Sequence, residues 1–193
     1  MGTKHVSPEG VFIFGALIDP RSNEYGTEWC CGLQLTVEAG EAIAKSVEDA
    51  LANKRNRDPA FPKSNKQIKL PFSQARKRNE AGEWEPDPEH IIWNFKRKWE
   101  VKVNGELTRN TPPLTYDSTG RLCEVKDIGY GSRVKVIYDC YCYTMNGGGV
   151  KLELIGVQIA ELKQRSLELA PIEGGWVAET TEEEDISRIL ASA

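Results

Sequence analysis

The sequence lacks the long apolar runs and the cysteine patterns on which several classes of protein depend. No apolar run in the 193 residues reaches the roughly 18 to 20 residues of a membrane span, and residues 1–5 lead into no signal-peptide core. The five cysteines form no C-x-x-C pair, so we interpret them as reduced packing residues. We therefore expect a cytoplasmic protein with no membrane contact and no disulfide framework.

The chain also lacks the motifs of common catalytic and cofactor sites. It has only two histidines, His5 in a terminus that we expect to be frayed and His90 beside a Glu- and Pro-rich stretch, and neither has a companion motif. There is no G-x-S-x-G, P-loop, H-E-x-x-H or G-x-G-x-x-G after a strand. A carboxylate cluster for a metal would need scattered acids, which usually lie in solvated loops. These acids are Asp117, Glu124, Asp127 and Asp139. The sequence predicts no catalytic residue, metal or cofactor.

Alternating and glycine-rich patterns predict a mainly β protein. Residues 11–18 and 29–37 are rich in β-branched and aromatic residues, and the turn residues 19–23 between them predict a hairpin. The apolar phase of the last predicted strand shifts beside Gly156, which indicates a β-bulge. The Asn-Gly-Gly-Gly sequence before that strand predicts a hairpin turn. The other predicted strands are residues 91–103, 114–116, 132–144 and 150–162.

Only residues 38–53 have a clear helical period. Residues 54–89 contain six prolines or glycines and predict a long loop. One helix with five to seven strands, and no βαβ alternation, favours an antiparallel barrel or sandwich. Of these we choose a small antiparallel β-barrel with one helix packed across it.

The net charge of −4 hides two segments of opposite charge. Residues 54–78, the basic belt, contain nine basic residues and one acidic residue, whereas residues 171–193, the acidic tail, contain six acidic residues and one arginine. This asymmetry is typical of proteins that bind nucleic acid or another polyanion, although a charged surface loop is the commoner explanation of one basic run. We expect residues 1–170 to form the folded domain and residues 171–193 a flexible acidic tail.

Basic residues lie beside aromatic residues at several places in the chain. A protein that holds single-stranded nucleic acid needs this combination, because cations contact the phosphates and flat rings stack on the bases. The candidate contacts are Arg76, Lys77, Arg78, Trp84, Lys96, Arg97, Lys98, Lys102, Arg133, Lys135, Tyr141 and Tyr143. Trp84, Tyr141 and Tyr143 have polar or basic neighbours and are the stacking candidates. Three aromatics on one apolar strand face are better explained as core: Trp93, Phe95 and Trp99.

The acidic tail predicts regulation of binding. A flexible polyanion tethered to a basic groove competes with nucleic acid at high effective concentration, and its apolar end can dock into a partner. The residues assigned to partner docking are Glu182, Glu183, Glu184, Asp185, Ile186, Ile189 and Leu190. A solubilising tail or a short C-terminal helix is the alternative.

Residues 128–159 carry the most specific pattern in the chain. They read IGYGSRVKV at 128–136, YCY at 141–143, a glycine turn, and GVKLELIGVQI at 149–159. This pattern resembles the C-terminal half of a family of phage-encoded single-stranded-DNA-binding proteins. The resemblance implies an OB-fold core with an acidic C-terminal tail, acting in DNA replication, recombination and repair in an infected bacterial host. It also implies a phage DNA polymerase or helicase-primase as the partner of the tail.

The sequence therefore predicts a non-enzymatic protein that binds single-stranded DNA without reading its sequence. Two alternatives stay open: a metal-dependent nuclease or nucleotide-processing enzyme, and a phage structural or assembly protein. The oligomeric state, a homodimer included, is also left open.

Overall fold

The computed structural model describes residues 3–24 and 26–164, and eight of the ten strands in these ranges belong to one sheet. The described strands, in chain order, are β1 Lys4–Val6, β2 Gly10–Asn23, β3 Gly26–Thr36, β4 Phe72–Arg78, β5 Trp84–Lys98, β6 Glu100–Val103, β7 Glu106–Arg109, β8 Leu114–Tyr116, β9 Arg133–Tyr143 and β10 Gly149–Glu161. The one α-helix of the described residues, α1, spans Val37–Arg57 between β3 and β4. The predicted mainly β fold with a single packed helix is confirmed.

Five strands form a closed ring of hydrogen-bonded neighbours. The order β9-β2-β3-β5-β10 returns to β9, because β10 pairs with both β5 and β9. The ring is not antiparallel throughout, since β5 and β10 are parallel, and β8 also pairs with β10 in parallel. β1 and β4 add to β9 and β5, whereas β6 and β7 form a separate two-stranded sheet.

The inside of the ring is the hydrophobic core, because alternate residues of each strand point inward. Trp93 and Phe95 are buried there as predicted, while Trp99 is partly buried and packs against Trp29 with ring centroids 5.1 Å apart. Other fully buried side chains come from β3, β9 and β10: Leu33, Val134, Val136, Tyr138, Leu152, Leu154 and Val157. α1 contributes the buried side chains of Ile43, Val47 and Leu51. The helix therefore packs across the ring by one apolar face.

α1 is longer than the predicted helix at both ends. The Thr36 side chain caps its start by accepting a hydrogen bond from the Ala39 N–H at 3.2 Å. Its last turn contains Lys54, Arg55 and Arg57, which interact favourably with the helix dipole. The first part of the basic belt is thus helix. No helix of the described ranges is long and apolar enough to cross a membrane.

The β2–β3 hairpin extends beyond the predicted turn. Residues 19–23 lie in β2, and the pairing with β3 is interrupted between Ala16 and Arg21. Pro20 lies inside this interruption, where the strand pairing does not require the backbone N–H that proline lacks. The prediction of a turn at residues 19–23 was therefore wrong, because a bulge can accommodate the same residue types.

The predicted loop at residues 54–89 is mostly ordered structure. After α1 and a 3-10 turn at Asn65–Gln67, β4 pairs with the first part of β5 to form an antiparallel arm. Pro86 lies opposite Arg76, next to a register shift between Gln74 and Arg76, which is a position that tolerates proline. The proline content of residues 54–89 therefore predicted a longer loop than the fold contains.

Two other expectations need correction. The predicted strand 91–103 is broken at Trp99, and the positive φ angles of Asn104 (53°) and Gly105 (90°) turn the chain from β6 into β7. His5 is not frayed, because β1 pairs with β9 and the His5 ring stacks on Tyr138 with centroids 5.3 Å apart.

The β9–β10 hairpin agrees closely with the sequence. The connection contains positive φ angles at Asn146 (53°), Gly147 (85°) and Gly148 (79°). The register between β9 and β10 shifts between Leu154 and Gly156, which confirms the predicted β-bulge.

All five cysteines lie in the described residues, and none of them forms a disulfide. Burial raises the pKa of the Cys140 thiol to about 12, with Cys142 and Asp139 adding to the effect. A thiol with so high a pKa is unreactive at neutral pH. The interpretation of the cysteines as reduced packing residues agrees with this arrangement.

Candidate nucleic-acid interface

A cleft of about 860 Å³ opens beside the ends of β5 and β9 and is also bordered by β2, β3 and the β9–β10 connection. Its lining combines cations, aromatic rings, neutral side chains and a single carboxylate, Glu28. The cations are Arg21, Lys69, Lys96, Lys98 and Lys151. The rings are Phe14, Tyr141 and Tyr143. We call this site the cleft.

Two rings of the cleft are each positioned by a glycine on the neighbouring strand. Phe14 and Gly32 are register partners, and a Cβ on Gly32 would overlap the Phe14 ring. Tyr143 and Gly149 are also partners, and a Cβ on Gly149 would lie 2.7 Å from Cζ of Tyr143. Each ring therefore lies across its partner glycine. Phe14 is 40% exposed, which leaves part of its surface open to a ligand.

The third ring, Tyr141, lies between a lysine and solvent. It is 41% exposed, and Lys151 Nζ lies 5.7 Å from the ring centroid. Partial burial raises the pKa of the Tyr141 phenol, and the charge of Lys151 offsets this only in part. The phenol therefore stays neutral at physiological pH and does not repel a phosphate.

Two cations of the cleft are unpaired. Lys69 and Lys98 form no ion pair with any residue in the described ranges. Lys69 precedes β4 and Lys98 ends β5, so they come from different segments of the cleft wall. No carboxylate of these ranges holds either lysine at ion-pair distance, so both can contact an anionic ligand.

The other three cations are already paired with carboxylates. Lys96 Nζ lies 2.9 Å from Glu28 Oε1, and Arg21 Nη2 lies 3.7 Å from the same atom. Lys151 Nζ lies 2.6 Å from Glu153 Oε2. The cleft thus presents two kinds of cation, although Lys96 and Lys98 look alike in the sequence.

Four of the predicted site residues line the cleft: Lys96, Lys98, Tyr141 and Tyr143. Sequence reasoning missed Phe14, Arg21 and Lys151, and it included Lys69 only as a member of the basic belt. Phe14 follows Phe12 by two residues, so strict alternation places both rings in the core. The register of β2 against β3 shifts between them, and Phe12 is buried whereas Phe14 faces the cleft.

A second group of predicted residues lies on the β4–β5 arm, outside the cleft lining: Arg76, Lys77, Arg78 and Trp84. Trp84 is 57% exposed, and the Arg78 guanidinium lies 5.2 Å from its ring centroid. The strand pairing sets Lys77 opposite Glu85, and residues 76–85 contain three basic and three acidic residues. The arm therefore offers an exposed ring but no excess of positive charge.

The remaining predicted cations also lie outside the cleft lining: Arg97, Lys102, Arg133 and Lys135. Arg97 Nε donates a hydrogen bond to the backbone carbonyl of Thr111 at 2.8 Å. Arg133 pairs with Glu9. Lys102 lies on β6, beyond the break in the predicted long strand. The structure does not bring these four residues together with the cleft.

The four acids considered as a metal cluster, Asp117, Glu124, Asp127 and Asp139, do not form a group of neighbouring ligands. Within the described ranges, one group of three candidate ligands lies close together: Asp87, Glu89 and His90. Asp87 Oδ2 lies 2.8 Å from His90 Nδ1, and Asp87 Oδ1 accepts a hydrogen bond from the Glu89 N–H at 3.0 Å. These hydrogen bonds explain the grouping.

Residues 165–193, with all seven of the proposed docking residues and the expected domain boundary after residue 170, lie outside the described residues.

No family model matches the sequence, and no curated protein matches it. Solved structures do share its fold. The single-stranded DNA binding protein gp2.5 encoded by bacteriophage T7 matches with a TM-score of 0.61 and 19% identity, over 92% of this chain and 100% of that one. The single-stranded DNA-binding protein from bacteriophage Enc34, in complex with ssDNA, matches with a TM-score of 0.59 and 13% identity, over 83% and 88%. The chain therefore has the OB-like fold that the sequence resemblance implies.

Proposed function

We propose that this protein binds single-stranded DNA in the cleft without reading its base sequence. The observation that carries the proposal is one cleft lined by five cations and three partly exposed aromatic rings. Cations follow the phosphates, and rings stack on any base because every base has a π-face. The structures that share the fold are named as single-stranded-DNA-binding proteins, and one is a complex with ssDNA, which supports the same ligand here.

The proposed setting is phage DNA replication, recombination and repair in the cytoplasm of the infected host. The phage origin of both structural neighbours supports this setting. The proposed activity is binding alone, with no chemical step, so it calls for no catalytic residue or cofactor.

A titration tests the proposal. Fluorescence anisotropy of a labelled oligo-dT strand should show saturable binding that weakens as salt is raised. If each of the five cations contacts one phosphate, log K should fall with log salt at a slope of about −3.5. Mg²⁺ should leave the oligonucleotide intact on a gel. A slope near zero would contradict the proposal, and Mg²⁺-dependent cleavage would favour the nuclease alternative.

We propose further that the acidic tail, residues 171–193, regulates binding. Its net charge of −5 makes it a tethered competitor for the cations of the cleft. The same segment would contact a phage DNA polymerase or helicase-primase through residues 182–186, Ile189 and Leu190. DNA that displaces the tail would then free it for the partner.

Truncation after Ala170 should tighten the binding of oligo-dT, since the competing polyanion is removed. The effect should be larger at 0.01 M salt than at 0.1 M, because the Debye length falls from about 30 Å to about 10 Å. Anisotropy titrations of both proteins at the two salt concentrations measure it. Weaker binding by a truncated protein that still melts cooperatively would show that the tail belongs to the binding site or the fold.

A further inference from the structure

Two glutamates beside the cleft each contact two cations. Glu28 Oε1 lies 2.9 Å from Lys96 Nζ and 3.7 Å from Arg21 Nη2. Glu153 Oε2 lies 2.6 Å from Lys151 Nζ, and Glu153 Oε1 lies 3.6 Å from Arg97 Nη1. The glutamate side chains are only 13% and 19% exposed, so both carboxylates are fixed by the surrounding strands.

In the first group, Glu28 with Lys96 and Arg21, a ligand can reach both cations. Glu28, Lys96 and Arg21 all line the cleft, and the side chains of Lys96 and Arg21 are nearly half exposed. A carboxylate and a phosphate present the same acceptor chemistry to an ammonium or guanidinium group. A DNA phosphate at Lys96 must therefore displace Glu28 or bind beside it against like-charge repulsion.

The second group, Glu153 with Lys151 and Arg97, borders the cleft through Lys151. This lysine lines the cleft and lies near the Tyr141 ring, while its Nζ is held by Glu153. Each group of one carboxylate and two cations has a net charge of +1, whereas Lys69 and Lys98 keep their full charges. The two glutamates thus lower the positive charge that the cleft can offer to phosphates.

Stability alone does not explain the Glu28 pairs. The side chains of Lys96 and Arg21 are nearly half exposed, and ion pairs of this kind contribute little to folding, because water and salt screen them and the side chains lose entropy. The position of Glu28 in a cationic cleft gives it a larger effect on an anionic ligand than on the fold. The partners of Glu153 are only 19% and 20% exposed, so Glu153 contributes to the fold as well as to the charge of the cleft.

On the basis of the proposed function, we propose that Glu28 and Glu153 limit the affinity of the cleft by competing with DNA phosphates for its cations. The bound DNA then dissociates faster than it would from a cleft with the same cations and no competing carboxylates. This competition is independent of the acidic tail, because both carboxylates are fixed on strands of the ring. It therefore persists in a protein truncated after Ala170.

The test compares full-length Glu28→Gln and Glu153→Gln proteins with the wild type. Each glutamine keeps the shape of the side chain and removes its charge. Like charges about 6 Å apart in a water-like dielectric repel enough to change Kd by about threefold, so each variant should bind oligo-dT about threefold more tightly. Stopped-flow dissociation should be slower, whereas the salt slope should stay at about −3.5, because the same five cations contact phosphates in the wild type and in the variants.

Matched variants separate competition from a structural role. Glu100→Gln removes an equal charge from a pair with the exposed Arg109, outside the cleft lining, and should leave Kd unchanged. Glu28→Asp keeps the charge and should not tighten binding. Thermal melts followed by circular dichroism identify the variants that remain folded.

Tighter binding by either folded glutamine variant, with both controls unchanged, supports the inference. If the wild type binds and no folded glutamine variant binds more tightly, this inference fails and the proposed function stands. Loss of the cooperative melt in both glutamine variants would also overturn it, because the glutamates would then be structural. If neither the wild type nor any variant binds oligo-dT, the proposed function fails as well.

Discussion

Replacing Phe14 and Tyr143 together by alanine should weaken the binding of oligo-dT by about a hundredfold. Stacking of a base on an aromatic ring contributes about 1 to 3 kcal/mol per base, so the loss of two rings at about 1.4 kcal/mol each gives this factor. Both rings line the cleft, and each lies across a glycine of the neighbouring strand. Anisotropy titration measures the effect, and a thermal melt checks the fold.

Three variants make this prediction specific. Gly32→Ala keeps the Phe14 ring but displaces it, because the new Cβ overlaps the ring, and should weaken binding in the same direction. Tyr143→Phe keeps the ring and should bind like the wild type. Trp84→Ala removes an exposed ring from the β4–β5 arm and should have little effect. A large loss from Trp84→Ala with none from the double variant would move the interface to the arm.

Neutralising the two unpaired lysines, Lys69→Gln with Lys98→Gln, should weaken binding roughly 25-fold at 0.1 M salt. Each phosphate contact with a single strand contributes about 0.7 to the salt slope, so two lost contacts reduce the slope from about −3.5 to about −2.1. Oligo-dT and oligo-dA should be affected alike, because phosphates carry no base information.

The basic belt supplies a control with the same change of charge. Lys63→Gln with Lys66→Gln removes two lysines that lie outside the cleft lining. This protein should keep nearly the wild-type slope. Equal losses in the two double variants would mean that binding follows the net charge of the protein and not the geometry of the cleft.

Local sequence signals predicted the β9–β10 hairpin well. The glycine turn after Asn146 and the bulge at Gly156 depend on backbone conformations that neighbouring residues specify, and both are present. The β4–β5 arm was missed because prolines at this spacing are typical of loops. Only the pairing of β4 with β5 shows that the arm tolerates Pro86.

The candidate site was predictable where it depends on strand alternation. Lys96 and Lys98 on β5, and Tyr141 and Tyr143 on β9, were identified because they share the polar face of a strand. Phe14 was not, because a register shift in β2 reverses the alternation between Phe12 and Phe14.

Charge was the least predictable part of the site, because ion pairing depends on contacts between distant segments. The basic belt has a large excess of positive charge in the sequence, but the fold sets Lys77 of the belt opposite Glu85. The pairing of Lys96 with Glu28 joins residues 68 positions apart. No local pattern distinguishes Lys96 from the unpaired Lys98.

Photocrosslinking locates the bound strand most directly. An oligo-dT strand that carries iodouracil at single positions would be bound, irradiated and digested, and the crosslinked peptides would be identified by mass spectrometry. Crosslinks should fall on Phe14 in β2 and on Tyr141 or Tyr143 in β9. Crosslinks confined to Trp84 on the β4–β5 arm, or to α1, would contradict the assignment of the cleft as the DNA-binding site.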